Sequence, residues 1–291
     1  MHYMKPQTAA EVSDILARSE GAARILSGGT DLLVQLRSGI IEPEMIIDIK
    51  HLSGIADISP EEGGLRIGAA VPGQQLGEHE GARALWPGVV EACELIGSTQ
   101  VQGRCSMAGN LCNGSPAADS VPAMIAAGAI ARIEGPDGPR DCPVEDIPVS
   151  PGKTSLGKGE FVSSIFLPAR PKGAADAYLR FIPRTEMDIA VASAAVNIEL
   201  ADDGTVKSAR IALGAVGPKV VLVPDAADAI TGSKLEDPVI AALVRACEAA
   251  CNPIDDKRGT AEFRTTVAGV LAKRAARIAM SRAQERAGER T

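Results

Sequence analysis

The chain has 291 residues, a formal net charge of −7 at pH 7 and a hydrophobic share of 45%. This length is enough for two or three domains, and the acidic balance argues against a nucleic-acid partner. No apolar run approaches the length of a membrane span, and the charged residues Glu11 and Asp14 exclude a signal-peptide core near the N-terminus, so we expect a cytoplasmic protein without a membrane span.

The first unit, residues 1–55, has the order helix, strand, glycine-rich loop, helix and strand. Thr8 and Glu11 form a capping box, which predicts a helix through Ser19. A glycine pair then turns the chain between a strand and a second helix. This order favours parallel pairing of the two strands. The other predicted elements are a strand at residues 24–27, a helix at 31–37 and a strand at 45–48.

The second unit, residues 56–172, alternates strands and helices around a long polar loop. Ser115 and Pro116 predict the start of a helix that runs to residue 127 and that Gly128 closes. The segment 168–173, rich in Pro, Lys and Gly, marks the boundary to the next unit. The other predicted elements are strands at 65–69, 129–133 and 160–167, a helix at 84–96 and a hairpin turn at 135–138.

The third unit, residues 173–291, is predicted to contain a strand pair followed by helices. The last helix carries a basic run, which is typical of a solvated helix face; contact with an acidic partner subunit is the alternative. The predicted elements are strands at 190–200 and 205–213 and helices at 224–231, 238–250 and 261–286. The basic residues of the last helix are Lys273, Arg274, Arg277, Arg282 and Arg286.

Two loops of small residues have the composition of a backbone that approaches a ligand closely. In the first, residues 27–31 (Ser-Gly-Gly-Thr-Asp), successive N–H groups can surround a phosphate beside the positive end of a helix. Its spacing matches neither the G-x-G-x-x-G nor the Walker A pattern, and a glycine pair is also common in plain tight turns. Together with the second loop, residues 106–119, it indicates one long phosphate-containing ligand held at two places.

The second loop carries a series of polar side chains between its small residues. Asparagine amides donate and accept at once, which suits the edge of a flavin ring or a ribityl chain, and Asp119 can accept hydrogen bonds from hydroxyls. The alternative is local: Ser115 caps a helix and Asp119 adds charge to its first turn. The polar candidates in this loop are Ser106, Asn110, Asn113, Ser115 and Asp119.

Cysteine, histidine and aromatic residues give little support for other chemistry. The six Cys form no C-x-x-C pair and the chain has three His, so we expect neither a metal site nor a catalytic residue. Cys105 and Cys112 flank the start of the second loop and either line a ligand or belong to the core. With 2% aromatic residues, a planar cofactor would rest mainly on aliphatic and backbone surface.

The two loops resemble the two FAD-binding motifs of the flavoprotein (medium) subunit of molybdenum hydroxylases, the family that includes carbon monoxide dehydrogenase and xanthine dehydrogenase. Two further segments resemble family motifs: residues 178–190, which begin Tyr-Leu-Arg-Phe, and residues 257–264, Lys-Arg-Gly-Thr-Ala-Glu-Phe-Arg. The likeness extends from about residue 1 to residue 285.

The resemblance implies an α/β (α+β) fold, with a two-part FAD-binding domain of the molybdopterin dehydrogenase type followed by a C-terminal α/β flavoprotein domain. It implies domains at 1–55, 56–172 and 173–291, with the first loop around the pyrophosphate and the second loop along the other side of the FAD. The implied FAD-binding residues are Ser27, Gly28, Gly29, Thr30, Asp31, Leu32, Ser106, Gly109, Asn110, Cys112, Ser115, Asp119, Val162 and Arg180.

This chain departs from the family pattern at a few positions. Ala108 stands where Gly is more typical, and Arg180 replaces a frequent Lys, which changes the donor geometry. Ile96 and Ile189 are aliphatic where some relatives place an aromatic ring over the flavin. The Cys-rich insertion that holds a [4Fe–4S] cluster in the 4-hydroxybenzoyl-CoA reductase branch is missing, which argues against that branch.

By this resemblance the chain is the FAD-binding electron-transfer subunit of a molybdenum hydroxylase. The partners implied are a large subunit with the molybdenum cofactor and a small subunit with [2Fe–2S] clusters, assembled as a dimer of heterotrimers. Electrons would pass from the clusters through FAD to an external acceptor, with the flavin doing the chemistry. The alternatives are a stand-alone FAD-dependent oxidase or dehydrogenase, and a scaffold that has lost FAD.

Overall fold

A computed structural model describes residues 1–19 and 21–288. Its first sheet has three parallel strands in the order β1-β3-β2, which confirms the predicted parallel pairing around the first loop. The short edge strand β1 was not predicted. The elements are β1 (His2–Met4), α1 (Ala9–Arg18), β2 (Ala23–Leu26), α2 (Leu32–Arg37) and β3 (Met45–Asp48).

The capping box of α1 forms with one change. Thr8 accepts a hydrogen bond from the backbone N–H of Glu11 at 3.2 Å, as predicted. The Glu11 carboxylate reaches back to the backbone N–H of Gln7, one residue before the cap, at 2.7 Å. Both bonds satisfy N–H groups at the start of the helix.

The second sheet is antiparallel, in the order β4-β5-β10-β6-β7. The predicted hairpin turn at 135–138 joins β6 to β7. The sequence analysis missed β4, β7 and a small separate hairpin, β8-β9. The strands are β4 (Ile58–Glu61), β5 (Gly64–Gly68), β6 (Ile130–Glu134), β7 (Arg140–Pro143), β8 (Pro148–Ser150), β9 (Lys153–Thr154) and β10 (Phe161–Leu167).

Six short helices connect the strands of this unit. They are α3 (Gly73–Glu78), α4 (Glu80–Leu85), α5 (Pro87–Glu94), α6 (Thr99–Gln102), α7 (Met107–Cys112) and α8 (Ser120–Ala126). The prediction of one helix at 84–96 is wrong, because Trp86 interrupts the helix and separates α4 from α5. Trp86 has φ −135° and ψ 65°, since a residue before proline avoids helical geometry, and Pro87 begins α5.

The prediction of a helix that begins at Ser115 and Pro116 is also wrong. The Ser115 side chain accepts the N–H of Ala117 at 3.2 Å in a local turn, and the helix α8 begins at Ser120. An unpredicted helix, α7, lies inside the second loop instead. Ser106 caps it by accepting the N–H of Gly109 at 3.1 Å.

The third sheet is an antiparallel meander in the order β11-β12-β13-β14, covered by the long C-terminal helix. The sequence analysis missed β11 and β14. Alanines on the buried face of the helix, such as Ala272 and Ala275, allow it to lie close to the sheet. The elements are β11 (Ala174–Phe181), β12 (Ala192–Leu200), β13 (Val206–Gly214), β14 (Val221–Leu222), α9 (Pro224–Ile230), α10 (Asp237–Ala249) and α11 (Ala261–Gly288).

The basic run of α11 is only partly a solvated face. Arg282 pairs with Glu91 of α5 and donates to the carbonyl of Asp176 at 2.9 Å, and Arg286 donates to the carbonyl of Ala84. Arg274 is exposed. The end of α11 therefore fastens the third sheet to the helices of the second unit.

A buried ion pair lies at the same junction, and its arginine belongs to the segment 168–173 that was predicted as a boundary. The Arg170 guanidinium stands 3.5 Å from the centre of the Trp86 ring and pairs with Asp176 at 2.8 Å. Asp176 also accepts the backbone N–H of Val89 at 3.1 Å. Burial lowers the pKa of Arg170, whereas Asp176 favours its charged form. The domain limits at 55/56 and 172/173 stay a prediction.

Within the described residues, no helix combines the length and the apolar character needed to cross a membrane.

Replacing Asp176 with alanine should lower the free energy of unfolding by about 3 kcal/mol, because it leaves the buried Arg170 charge without a carboxylate partner. Urea denaturation followed by circular dichroism measures the change. The matched control is Asp237→Ala, since that carboxylate is 95% exposed and should contribute less than about 0.5 kcal/mol. Equal losses in the two variants would contradict a stabilising role for the buried pair.

Candidate cofactor site

The two predicted ligand-binding loops meet at one cleft of about 600 Å³. The hydroxyl oxygens of Ser27 and Ser106 lie 3.3 Å apart, although 79 positions separate them in the chain. A second contact joins the flanking helices, where Gln35 donates to the side-chain oxygen of Asn113 at 3.1 Å. One ligand can therefore touch both loops, as the sequence analysis expected.

Gly28 packs against the backbone of Arg104, two residues before the second loop begins. A Cβ atom at this position would lie 1.7 Å from the carbonyl oxygen of Arg104, so no other residue fits without moving the backbone. Gly29 has a φ of +80°, a conformation that favours glycine. These two glycines are required by geometry, rather than by a tight turn alone.

The first loop presents backbone donors to the cleft. Among the described residues, the N–H groups of Gly28, Gly29 and Thr30 have no hydrogen-bond partner. All three residues line the cleft. Unpaired N–H groups on successive residues form a concave site that fits an anion such as a diphosphate.

The polar residues of the second loop are used partly by the protein itself. Asn110 accepts hydrogen bonds from the backbone N–H of Ser120 at 3.1 Å and from its hydroxyl at 2.7 Å, so its oxygen caps α8. Its amide nitrogen has no partner among the described residues, and Asn110 lines the cleft. It can donate to a ligand while it holds the next helix.

Eleven of the fourteen predicted site residues line the cleft. They are Ser27, Gly28, Gly29, Thr30, Asp31, Leu32, Ser106, Gly109, Asn110, Cys112 and Val162. The other three, Ser115, Asp119 and Arg180, are not among its lining residues. The roles of all fourteen in binding stay predictions.

Asp119 lies in a buried network at the end of the second loop. Its carboxylate accepts hydrogen bonds from Arg180 at 2.7 Å and from the hydroxyl of Tyr178 at 3.1 Å. Burial raises the pKa of Asp119, while the Arg180 charge opposes that shift. Burial also raises the pKa of Tyr178 well above its usual value. The network ties the start of α8 to β11 of the third sheet.

Residues between 152 and 162 line another part of the cleft, and the sequence analysis did not single out most of them. Glu160 lines it and pairs in two-point fashion with Arg140, at 2.6 and 2.8 Å. Glu160 also accepts the N–H of Gly157 at 2.7 Å. The concentration of glycines at 152, 157 and 159 was the available signal. Val162 lies beside an irregularity in the pairing of β10 with β6.

The buried thiol in the cleft is not set up as a nucleophile. Burial raises the pKa of Cys105 to about 11, so it stays protonated at neutral pH. Cys112 also lines the cleft and is exposed. Over the described part of the chain, no three His, Cys, Asp or Glu side chains come together as metal ligands.

Comparison with known protein families shows which family this chain belongs to. Residues 1–170 match the FAD binding domain in molybdopterin dehydrogenase, and residues 177–279 match the CO dehydrogenase flavoprotein C-terminal domain. The chain therefore belongs to the family of molybdopterin dehydrogenase FAD-binding proteins. The match confirms the predicted family, fold class and cofactor: the chain carries an FAD-binding domain and is a flavoprotein of the oxidoreductase class.

Individual relatives agree over nearly the whole chain. The carbon monoxide dehydrogenase medium chain of Hydrogenophaga pseudoflava is 30% identical, covering 96% of this chain and 97% of the relative. A putative xanthine dehydrogenase FAD-binding subunit of Escherichia coli (strain K12) is 29% identical, covering 94% and 93%. The solved structure of reconstituted CO dehydrogenase from Oligotropha carboxidovorans superposes with a TM-score of 0.93 at 29% identity, covering 97% of this chain and 98% of that chain.

The donors in the cleft fit FAD. Its diphosphate needs N–H or cationic groups, which the first loop supplies, and its long shape needs contacts at two places, which the meeting of the two loops supplies.

Replacing Gly28 with alanine should weaken FAD binding at least about tenfold, because the new methyl group collides with the Arg104 carbonyl and forces the loops apart. Flavin absorbance per protein after reconstitution with FAD measures the effect. Gly103→Ala is the matched control, since a Cβ there meets nothing closer than the end of the Gln74 side chain at 3.5 Å. Full FAD content in Gly28→Ala would contradict the close contact.

Acid should weaken the wall at residues 152–162. Pairing with Arg140 holds the pKa of Glu160 below its ordinary value of 4.5, so the stability that this carboxylate contributes is present above pH 4.5 and is lost as the pH falls further. Glu160→Gln removes the titration. The variant should therefore lose less stability than the wild type between pH 5 and pH 3, as measured by thermal unfolding at each pH. Parallel pH curves would contradict this assignment.

Proposed function

We propose that this chain is the FAD-binding electron-transfer subunit of a heterotrimeric molybdenum hydroxylase. The observation that carries the proposal is the meeting of the two family motifs at one cleft, with the Ser27 and Ser106 hydroxyls 3.3 Å apart. The relatives named above support it, because one is a medium chain and another an FAD-binding subunit.

In this proposal the first loop holds the diphosphate of FAD. The N–H groups of Gly28, Gly29 and Thr30 donate to it, and the Ser27 and Thr30 hydroxyls lie beside them. Asp31 and Leu32 continue the same wall. These contacts need no change in the backbone, since the three N–H groups have no other partner among the described residues.

The second loop and β10 hold the rest of the cofactor. Ser106, Gly109, Asn110 and Cys112 line the cleft from the second loop, and Val162 lines it from β10. We assign Asp119 and Arg180, with Ser115 before them, to the polar edge of the flavin. Asp119 and Arg180 bond to each other at 2.7 Å and do not line the cleft, so their side chains reach the flavin only if they move toward it.

When bound, FAD supplies the redox chemistry, which connects iron–sulfur clusters with an external electron acceptor. The chain's own residues bind and orient the cofactor and restrict water around it. The large molybdenum subunit and the small [2Fe–2S] subunit are the proposed partners, in a dimer of heterotrimers. Domain limits of 1–55, 56–172 and 173–291 belong to the same proposal; they are supported by the three sheets, whose strands fall within residues 2–48, 58–167 and 174–222. The cytoplasmic location stays a prediction.

Co-expression with the neighbouring genes of its operon tests this function. Affinity purification of this chain should bring down a large and a small partner, with molybdenum and iron detected by elemental analysis and a flavin absorbance band. The chain expressed alone should bind FAD and oxidise no organic substrate. A yellow protein that oxidises a small molecule by itself would instead establish the stand-alone oxidase. A chain that takes up no FAD in either preparation would establish the scaffold.

A further inference from the structure

We propose that Lys50 and Arg104 are positioning residues that orient the peptide groups of the first loop, so that three successive N–H groups face the diphosphate of FAD. The inference rests on the proposed binding of FAD in this cleft. Neither residue belongs to the motifs that identified the site, and neither lines the cleft.

The argument starts from the geometry of a peptide group. In a trans peptide, the C=O and the N–H point in opposite directions, so a group that holds the carbonyl also sets where the N–H points. Lys50 Nζ donates to the carbonyl of Ser27 at 3.2 Å, and the N–H of that peptide belongs to Gly28. Arg104 Nε donates to the carbonyl of Gly28 at 3.5 Å, and the N–H of that peptide belongs to Gly29.

The next peptide follows the same pattern. The backbone N–H of Leu33 donates to the carbonyl of Gly29 at 3.0 Å, and the N–H of that peptide belongs to Thr30. Three successive carbonyls are therefore engaged, while the three matching N–H groups have no partner in the described part of the chain. A cation on a carbonyl also polarises the peptide and makes its N–H a stronger donor.

Lys50 is held in place by two residues behind it. Its ammonium pairs with Asp48 at 2.6 Å, and the Asp48 side chain is 4% exposed. The hydroxyl of Tyr3 donates to the other carboxylate oxygen of Asp48. Burial raises the pKa of Asp48, but the hydrogen bonds from Lys50 and Tyr3 outweigh burial and leave that pKa below its ordinary value. The carboxylate is thus charged at neutral pH and fixes the ammonium.

The charged side chains that line the cleft do not by themselves attract a diphosphate. The charged side chains that line it are Arg24, Asp31 and Glu160, of which two are acidic. The Arg24 guanidinium is turned to the carbonyls of Gly21 and Ala23, at 2.8 and 2.9 Å. The helix α2 that follows the loop has only six residues, so its dipole adds little. Among the described residues, Lys50 and Arg104 are the cationic side chains that hydrogen-bond to the loop itself.

The experiment measures FAD affinity of the full-length chain. Apo-protein is titrated with FAD, and quenching of flavin fluorescence gives the Kd at two salt concentrations. Lys50→Met should raise the Kd about tenfold, and Arg104→Gln about threefold because its bond is longer and exposed. Lys50→Arg should keep most of the affinity. Lys219→Met is the matched control, since Lys219 is exposed and does not line the cleft.

A second readout separates positioning from general stability. The ³¹P resonances of bound FAD should move toward those of free FAD in Lys50→Met and stay unchanged in Lys219→Met. Wild-type Kd and ³¹P shifts in both Lys50→Met and Arg104→Gln would overturn the inference. If Lys50→Met does not fold, the exposed Arg104 decides the question through Arg104→Gln. If the wild-type chain itself takes up no FAD, the proposed function fails first, which is a distinguishable result.

Discussion

The contact between Gly28 and the backbone at Arg104 is the constraint on which the cofactor site depends. It brings together two loops that are 76 positions apart and leaves no room for a side chain between them. Because the backbones touch, the Ser27 and Ser106 hydroxyls come within 3.3 Å and the loops share one cleft. The same approach lets Arg104, from the second loop's side, reach a carbonyl of the first. The shape of the cleft therefore depends on how the two loops pack against each other.

Composition predicted the parts of the site where the backbone itself is the functional group. Gly28 and Gly29 were found because close approach excludes side chains, and the parallel strands around them followed from the order of elements. Lys50 could not be found this way, since its role depends on which carbonyl its ammonium reaches. Glu160 was missed because its role depends on its pairing with Arg140, which lies 20 positions earlier in the chain. The helix break at Trp86 was readable from Pro87, but the apolar periodicity on both sides obscured it.

Polar side chains of the third sheet bond to the end of the second loop. Arg180 and Tyr178 lie on β11, yet their polar atoms bond to Asp119 at the start of α8. A buried carboxylate is costly without such partners, so the second loop depends on a strand that lies about 60 positions later in the chain. Arg170 and Asp176 make a second buried pair at the same junction. The C-terminal part is therefore tied electrostatically to the cofactor-binding part.

The residues that line the cleft come from two different sheets, so ligand binding is coupled to the packing of these sheets against each other. The loop after β2 belongs to a small three-stranded sheet, whereas the lining residues Phe161 and Val162 lie on β10 of the five-stranded sheet. A ligand that bridges them binds only the assembled form, and by linkage it stabilises that form in proportion to its affinity and concentration. FAD bound in the proposed site would therefore raise the population of the chain in which the two sheets are packed together.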